Sequence, residues 1–370
     1  MLNKHPCLLE LPPNRVRRNY RGGRVLDALE GKAGTDDGNC PENWLCSLTE
    51  ASNAGMTPIA DEGLSRVMVD GRNYLLRDLI ASAPEHYLGK ENFLAFGVQT
   101  RFLAKLLDSS MRLHLQAHPT REFARRELGK PWGKFECYVI FSVRPGIDPY
   151  IYLGFQHPPT PNEWLRIVVE QDKTAMMACF EKIPVRPGEV WYVPGGYPHA
   201  LGEGLTLLEV MEPSDLVVRC EFEREGVIVP PVARYMGLSP AEALRIFDYT
   251  PQSIESIRNN HLVTPELLAE TESLKEYRRI GPQQIDCFEV RELQVLAPTT
   301  YDLQDRFAVC VVTGGAGLIR CGNEQQSLRP GYCYLLAAAA GQIQIEPAPS
   351  SQLDLLLCLP GQNNSSASYK

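Results

Sequence analysis

The sequence predicts a mainly β protein in which two β-barrels are joined by helices. Short segments of alternating apolar and polar residues, separated by Pro and Gly turns, dominate two regions of the chain, a pattern typical of β-sandwiches and β-barrels. A helical region separates them. The two β regions also echo each other, because PVRPGEVWYVPGG in the first resembles SLRPGYCYLLAAA in the second. An internal repeat of this kind indicates two related barrels.

The first region carries several helices among its strands. Apolar residues recur at helical spacing in YLLRDLIAS, which predicts a helix there. The stretch TREFARREL after Pro119 predicts a second helix with Thr120 as its N-cap. The stretch TPNEWLRIVVEQDKTAMMACFEK predicts a third, and KFECYVIFSV between the last two predicts a strand. Residues 22–45 are rich in Gly and Asp and are expected to form a loop.

The division of the chain follows from these patterns. Residues 238–279 are expected to be helical, beginning with Ser239 as a cap and Pro240 at the first helical position. From about residue 283 the β pattern resumes. The predicted units are therefore a first barrel with helical insertions over 1–235, a helical linker region over 236–280, and a second barrel without a metal site over 281–370.

Composition excludes some classes of function. The chain has 370 residues, which is too long for most single cores. Its formal net charge is −8 and no long run of Lys or Arg offsets it, so a general nucleic-acid binder is not expected. No apolar run reaches the roughly 20 residues of a membrane span. The first residues, MLNKHPCLLELPPNRVRR, lack the apolar core and cleavage site of a signal peptide.

The cysteines bear on the cellular compartment. There are eleven, without a CxxC pair or a regular spacing. An odd and unpatterned set is typical of free thiols in a reducing environment. A cytoplasmic protein without disulfide bonds is therefore expected.

The residues themselves indicate a metal site in the first barrel. In LHLQAHPT, at positions 113–120, alternation along a strand places His114, Gln116 and His118 on one face. Glu136 lies in the predicted strand GKFECYV, and His199 follows the Gly- and Pro-rich turn PGGYPHA. Two imidazoles, a carboxylate and an amide oxygen suit Zn²⁺. Gln116, His118, Glu136 and His199 are therefore the predicted ligands of one zinc ion per chain.

The same segments carry a resemblance to a known family. LHLQAHP, GKFECY, VRPGEVWYVPGGYPHALGEGLTLLEV and SDLVVR resemble, in order and spacing, motifs of the class I mannose-6-phosphate isomerases. The resemblance extends to GGRVLDAL, ENWLCS and the second β region. It implies two cupin (jelly-roll) barrels, zinc on the four residues already named, and interconversion of mannose 6-phosphate and fructose 6-phosphate through an enediol.

The resemblance also implies roles for three charged residues: it puts Lys134 and Arg219 in the pocket, with Glu209 beside them. Aldose–ketose isomerisation needs a base over the carbon and an electrophile for the developing oxyanion. Glu209 is the predicted proton-transferring carboxylate. Arg219 is expected to stabilise the enediolate or hold the phosphate, and Lys134 to supply a second positive charge. The alternative for Glu209 and Arg219 is a structural ion pair linking two adjacent strands.

His114 departs from the family pattern, which has a serine at that position. An imidazole can donate hydrogen bonds to a phosphate, act as an additional metal ligand, or change which sugar fits. We predict that His114 binds substrate.

Other functions remain open at this stage. The chain could isomerise another sugar or sugar phosphate. An iron-dependent cupin dioxygenase is a second possibility, although such enzymes usually carry an H-x-H pair where Gln116 stands here. A sugar-binding protein with two cupin barrels is a third. The expected partner is a small-molecule sugar phosphate, and the expected assembly is a monomer or homodimer.

Overall fold

The structure is a computed structural model that describes residues 5–362. Within this range, three single-turn 3₁₀ segments lie at Pro231–Ala233, Leu244–Ile246 and Ala338–Ala340. None of the helices within residues 5–362 has the length and apolarity needed to cross a membrane. The α-helices of this range are α1 (Arg24–Leu29), α2 (Leu76–Ser82), α3 (Pro84–Leu88), α4 (Lys90–Phe96), α5 (Arg121–Leu128), α6 (Pro161–Glu170), α7 (Lys173–Met177), α8 (Pro240–Ala243) and α9 (Ile254–His261).

The strands of the first two thirds of the chain are β1 (Leu8–Glu10), β2 (Arg15–Val16), β3 (Glu42–Leu45), β4 (Arg66–Val69), β5 (Arg72–Leu75), β6 (Leu103–Asp108), β7 (Gln116–Ala117), β8 (Glu136–Val143), β9 (Tyr150–Leu153), β10 (Ile183–Pro184), β11 (Val190–Val193), β12 (His199–Leu201), β13 (Leu205–Met211), β14 (Val218–Arg219), β15 (Glu223–Arg224) and β16 (Val227–Ile228). The remaining strands are β17 (Glu266–Glu270), β18 (Leu274–Ile280), β19 (Phe288–Val295), β20 (Thr299–Asp302), β21 (Ala308–Gly314), β22 (Gly317–Cys321), β23 (Glu324–Leu328), β24 (Cys333–Leu336), β25 (Gln342–Pro347) and β26 (Leu353–Pro360).

Each barrel is built from two antiparallel sheets. The first combines a six-stranded sheet, in the order β11-β8-β13-β6-β3-β2, with a five-stranded sheet in the order β10-β9-β12-β7-β14. The second combines a seven-stranded sheet, β1-β24-β21-β26-β19-β18-β17, with a four-stranded sheet, β20-β25-β22-β23. The predicted class, mainly β with two barrels, is confirmed.

Alternation along the strands of the six-stranded sheet separates the site from the contact between the barrels. In β13, Leu208 and Val210 belong to a buried cluster that also contains Val309 and Leu356 of the second barrel. Successive residues of a strand point to opposite faces. Glu209 therefore points away from the second barrel and into the first. The strand β13 thus contributes apolar side chains to the contact between the barrels on one face, and a charged side chain to the interior of the first barrel on the other.

Much of the interior of the second barrel is aliphatic. Its buried cluster is made of side chains such as Leu293, Val312, Ile343, Leu355 and Leu357. Each fully buried aliphatic side chain contributes about 1.5–3 kcal/mol relative to exposure, so this barrel has the composition of a structural core.

The linker region differs from its prediction. The N-caps are confirmed, because Ser239 accepts a hydrogen bond from the backbone of Glu242 in α8 and Thr120 likewise caps α5. The prediction of helix over residues 238–279 is wrong beyond His261, since β17 and β18 follow. Both strands extend the seven-stranded sheet beside β19. Pairing with β19 overrides the helical propensity of this Glu-, Leu- and Lys-rich stretch.

Other local expectations need correction as well. The predicted loop 22–45 contains α1 and β3. The predicted strand across LHLQAHPT is regular only at β7. The predicted helix of residues 160–182 is broken between α6 and α7 at Gln171, whose φ is 55°. The N-terminal strand β1 pairs with β24, so it completes the second barrel although it precedes the first in sequence.

A buried ion cluster in the second barrel gives a stability prediction. Glu289 is 3% exposed and accepts hydrogen bonds from Arg278, Arg291 and Arg306 at 2.8–3.0 Å. Burial raises its pKa, but the three guanidinium groups outweigh burial and hold the pKa at about 2. We expect Glu289→Gln to lower the free energy of unfolding at pH 7 by about 3–5 kcal/mol, since it leaves buried cations without their partner.

The pH dependence of this effect has a definite sign. A carboxyl group with a lowered pKa stabilises the fold above its unfolded pKa of about 4.3 and loses that effect as pH falls towards 2. The difference between Glu289→Gln and wild type, measured by urea unfolding, should therefore shrink below pH 4. Glu346→Gln is the control, because Glu346 is half-exposed and pairs with Arg320. If Glu346→Gln lowered the free energy of unfolding as much as Glu289→Gln does, the result would contradict this account.

Candidate active site

The four predicted metal ligands converge inside the first barrel. Gln116 lies in β7, His118 follows shortly after it, Glu136 begins β8 and His199 begins β12. His199 and Gln116 are directly opposite each other across antiparallel strands, so their side chains lie on the same face. Strand pairing thus brings together residues that are far apart in the sequence.

The distances within this cluster are short. Nε2 of His118 lies 3.1 Å from Oε1 of Glu136, and Nε2 of His199 lies 3.5 Å from Oε2 of the same carboxylate. The amide nitrogen of Gln116 is 3.4 Å from Nε2 of His199. The ligand atoms of His118, Glu136 and His199 all lie within 4.8 Å of one another, and all three residues are buried. One metal ion can contact all three.

A backbone carbonyl orients each imidazole from its outer side. Nδ1 of His118 donates to the carbonyl oxygen of Leu216 at 2.7 Å, and Nδ1 of His199 donates to that of Tyr197 at 2.9 Å. These bonds place the proton on Nδ1 and leave the Nε2 lone pairs for the centre of the cluster, as in metal-binding histidines. Burial lowers the pKa of both rings, to about 3 for His118. The neutral form, which binds metals, is therefore favoured.

A cation already lies against these atoms. Nζ of Lys134 is 2.6 Å from Oε1 of Glu136 and 3.1 Å from Nε2 of His118. Lys134 is itself buried. The carboxylate and the neutral imidazole thus already contact a positive charge. Because the donor set also suits metals, a metal ion fits at this position.

Glu209 belongs to a buried chain of alternating charges. Its Oε1 lies 2.7 Å from Nζ of Lys105, which is its direct neighbour across β13 and β6. Lys105 lies 3.6 Å from Glu42, which pairs with Arg18 at 2.8 Å, and Arg18 pairs with Asp215 at 2.9 Å. Each charge is compensated, as burial requires.

The environment of Glu209 brings its pKa close to neutrality. Burial raises the pKa, the negative charge of Glu136 raises it further, and Lys105 opposes both effects; the result is about 7. A carboxyl group with a pKa near the working pH can both accept and return a proton.

Arg219 is a partly buried cation on the opposite sheet. It lies in β14, next to Gln116 of β7, and donates to the carbonyl oxygen of Ala233 at 2.8 Å. Burial lowers its pKa to about 10, so it remains charged at neutral pH. The alternative that Glu209 and Arg219 form an ion pair between adjacent strands is wrong, because β13 and β14 belong to different sheets and Glu209 pairs with Lys105.

His114 lies further along the same wall. It is 4% exposed, and its Nε2 is 3.2 Å from the carbonyl oxygen of Val227 in β16. It therefore connects the β7 wall to the hairpin of β15 and β16. His114 is not among the residues whose ligand atoms converge on the metal position.

One cavity contains nearly all of these groups. His199 is not among the lining residues, but it contacts Gln116, which is one of them. The predicted site residues that line the cavity are His114, Gln116, His118, Lys134, Glu136, Glu209 and Arg219. The charged and phenolic cavity-lining residues that sequence reasoning missed are Arg18, Tyr20, Glu42, Lys105, Tyr138 and Asp215. A lysine within the apolar strand LAKLLD, and a glutamate within ENWL, were the available signals.

The fold and the site define a class of protein: two cupin barrels, of which the first encloses a metal site beside a cavity lined with charged residues. No protein-family model matches the chain. Mannose-6-phosphate isomerase ManA of Bacillus subtilis is 25% identical over 256 residues, covering 66% of this chain and 71% of that protein. The chain is thus similar in sequence to mannose-6-phosphate isomerases, and the predicted resemblance is confirmed.

Solved structures of other proteins superpose on almost the whole chain. A mannose 6-phosphate isomerase from Bacillus subtilis superposes with a TM-score of 0.72 at 20% identity, covering 95% of this chain and 99% of the other. A mannose 6-phosphate isomerase bound with zinc and yttrium superposes with a TM-score of 0.66 at 17% identity, with coverage of 95% and 99%. These structures share the fold of this chain.

Proposed function

We propose that this protein is a metal-dependent aldose–ketose isomerase that interconverts mannose 6-phosphate and fructose 6-phosphate. The observation that carries the proposal is the convergence, on one buried cavity, of a metal-binding cluster and a carboxyl group with a pKa of about 7. The sequence relative named above, a mannose-6-phosphate isomerase, supports the choice of substrate. Isomerisation needs a proton-transferring group and an electrophile for the developing oxyanion, and a metal ion can supply the electrophile.

We further propose that the metal is zinc, one ion per chain, held by Gln116, His118, Glu136 and His199. Two neutral imidazoles, a carboxylate and an amide oxygen are donors that zinc accepts. When bound, the ion supplies a Lewis acid for the sugar oxygens. The related structure that contains zinc supports this choice of metal.

The remaining residues of the cavity account for the proton transfer. Glu209 removes the proton from C2 of the aldose and returns it to C1, while the proton of the C2 hydroxyl moves to the C1 oxygen. The two transfers produce the ketose through an enediol. Lys105, 2.7 Å from Glu209, holds the carboxylate in place. Lys134 and Arg219 are positive charges for the enediolate oxygens and the phosphate. Such charge-assisted contacts contribute roughly 1.5–3 kcal/mol each.

The direct test of substrate is an assay of zinc-loaded protein with a panel of aldose and ketose phosphates. We expect mannose 6-phosphate and fructose 6-phosphate to interconvert, and unphosphorylated mannose to react with a much higher KM. Turnover of another aldose phosphate alone would change the substrate assignment but keep the reaction class. Stoichiometric iron in the purified protein together with oxygen consumption would favour the dioxygenase alternative.

His114 is proposed to contribute to substrate binding through the wall that it holds. His114→Ala removes the hydrogen bond to Val227, and we expect KM for the sugar phosphate to rise about two- to tenfold, as for the loss of one hydrogen bond of 0.5–1.5 kcal/mol. The zinc content should not change. His157→Ala is the control, since His157 is exposed and contacts Glu181. An unchanged KM would remove His114 from the substrate site.

A further inference from the structure

The turn that delivers the metal ligand His199 is held on both sides. On one side, the backbone N–H of Gly196 donates to the carbonyl oxygen of His118 at 2.7 Å, so the turn is attached to another ligand residue. On the other side, the carbonyl oxygen of Gly196 accepts a bond from the N–H of Asp248 at 2.9 Å. Asp248 lies between α8 and α9, in the linker region between the barrels.

Gly196 shows how close this packing is. Its φ is +92°, and a β-carbon at this position would lie 2.9 Å from the carbonyl oxygen of Ile246. Only glycine adopts this backbone conformation at low cost. The linker therefore contacts the backbone of the turn directly.

His261, the last residue of α9, contacts the same turn through its ring. The ring is 4% exposed, and its centroid lies 5.0 Å from that of Tyr197 and 4.8 Å from that of Tyr192. The carbonyl oxygen of Tyr197 is the acceptor for Nδ1 of His199. The chain of contacts thus runs from the linker helix through one aromatic ring to the hydrogen bond that orients a metal ligand.

The residues after the C-terminal end of α9 are held by backbone contacts that do not involve the ring of His261. Leu262 forms a β-bridge with Trp191, and the N–H of Val263 donates to the carbonyl oxygen of Val190 at 2.8 Å. Within residues 5–362, Nδ1 of His261 is buried and has no hydrogen-bond partner. What the ring supplies to Tyr197 is therefore packing rather than a hydrogen bond from Nδ1.

We propose that His261 is a positioning residue for the metal ligand His199, acting through Tyr197 from the helical linker. The inference rests on the proposed metal site. Tilted aromatic pairs at these distances stabilise their arrangement, and loss of an outer partner of a metal-ligating histidine lowers metal affinity by 10–100-fold. His261 acts one residue further out, so we expect an effect near the lower limit.

The test compares wild type, His261→Ala, His261→Phe and the exposed neighbour variant Asn260→Ala. Zinc affinity is measured by competition with a chromophoric chelator, and ligand geometry by the visible spectrum of the Co²⁺ form, at a temperature where all variants are folded. We expect His261→Ala to bind zinc about tenfold more weakly with an altered Co²⁺ spectrum. His261→Phe, which keeps a ring, and Asn260→Ala should match wild type.

Two outcomes would overturn the proposal. One is wild-type zinc affinity and Co²⁺ spectrum in His261→Ala, even if its Tm falls. The other is a His261→Phe variant as weak as His261→Ala. If His261→Ala does not fold, Tyr197→Leu removes the other ring of the contact and must show the same loss of affinity. Wild-type protein that binds zinc but isomerises no sugar phosphate would refute the proposed function and leave this inference standing.

Discussion

His199→Ala is expected to release the metal and to lower kcat/KM for mannose 6-phosphate by about three orders of magnitude. The substitution removes one of the two neutral imidazole nitrogens from a cluster whose ligand atoms lie within 4.8 Å of one another. Loss of the polarising cation costs several kcal/mol of transition-state stabilisation, and each 1.4 kcal/mol is a factor of ten in rate. The remaining donors, His118, Glu136 and Gln116, no longer enclose the ion.

The measurement is metal content by elemental analysis, with steady-state kinetics on the same preparation. His157→Ala is the matched control, because it removes an exposed imidazole and should retain both zinc and activity. Partial rescue of His199→Ala by excess zinc would be consistent with a weakened site. Full activity with one zinc ion retained would exclude His199 as a ligand.

Glu209→Gln is expected to retain the metal and lose most of kcat. The amide has nearly the same shape but cannot accept the proton from carbon, and a positioned acid–base group contributes typically 10²–10⁴-fold. The metal cluster should remain intact, since Glu209 lies on β13 and contacts Lys105 rather than a ligand. A large fall in kcat with unchanged KM would identify an interaction made only in the transition state.

The pH profile provides a second readout for Glu209. Its pKa is raised to about 7 by burial and by Glu136, against the effect of Lys105. Because the base must be deprotonated, kcat/KM of the wild type should fall as pH decreases through this range. Residual activity of Glu209→Gln should lack that limb. An unchanged kcat, or an unchanged acidic limb in the variant, would assign the proton transfer to another group.

Local sequence patterns were sufficient to predict much of the structure of the first barrel. Thr120 and Ser239 were identifiable as helix caps because a hydroxyl followed by a helical pattern is a local signal. The side chains of His114, Gln116 and His118 line one cavity as alternation predicts, although the regular ladder covers only two residues. Side-chain direction depends on local backbone geometry. The alternation therefore continues beyond the residues that form regular β-sheet hydrogen bonds.

Long-range pairing explains what the sequence did not reveal. Lys105 and Glu209 are neighbours because β6 and β13 are in register, and no local pattern connects residues 104 positions apart. The same applies to β17 and β18, whose residues favour a helix locally, although β18 pairs with β19 and β17 pairs with β18. The place of β1 in the second barrel also depends on a partner near the other end of the chain, β24.

The most direct test of the central claim is hydrogen exchange at carbon. Zinc-loaded protein is incubated with fructose 6-phosphate in D₂O, and deuterium in the sugar is followed by NMR, with Glu209→Gln as the matched variant. We predict deuterium at C1 of fructose 6-phosphate and at C2 of the mannose 6-phosphate formed, and none above background with Glu209→Gln. Exchange or isomerisation by Glu209→Gln at the rate of the wild type would contradict proton transfer by Glu209.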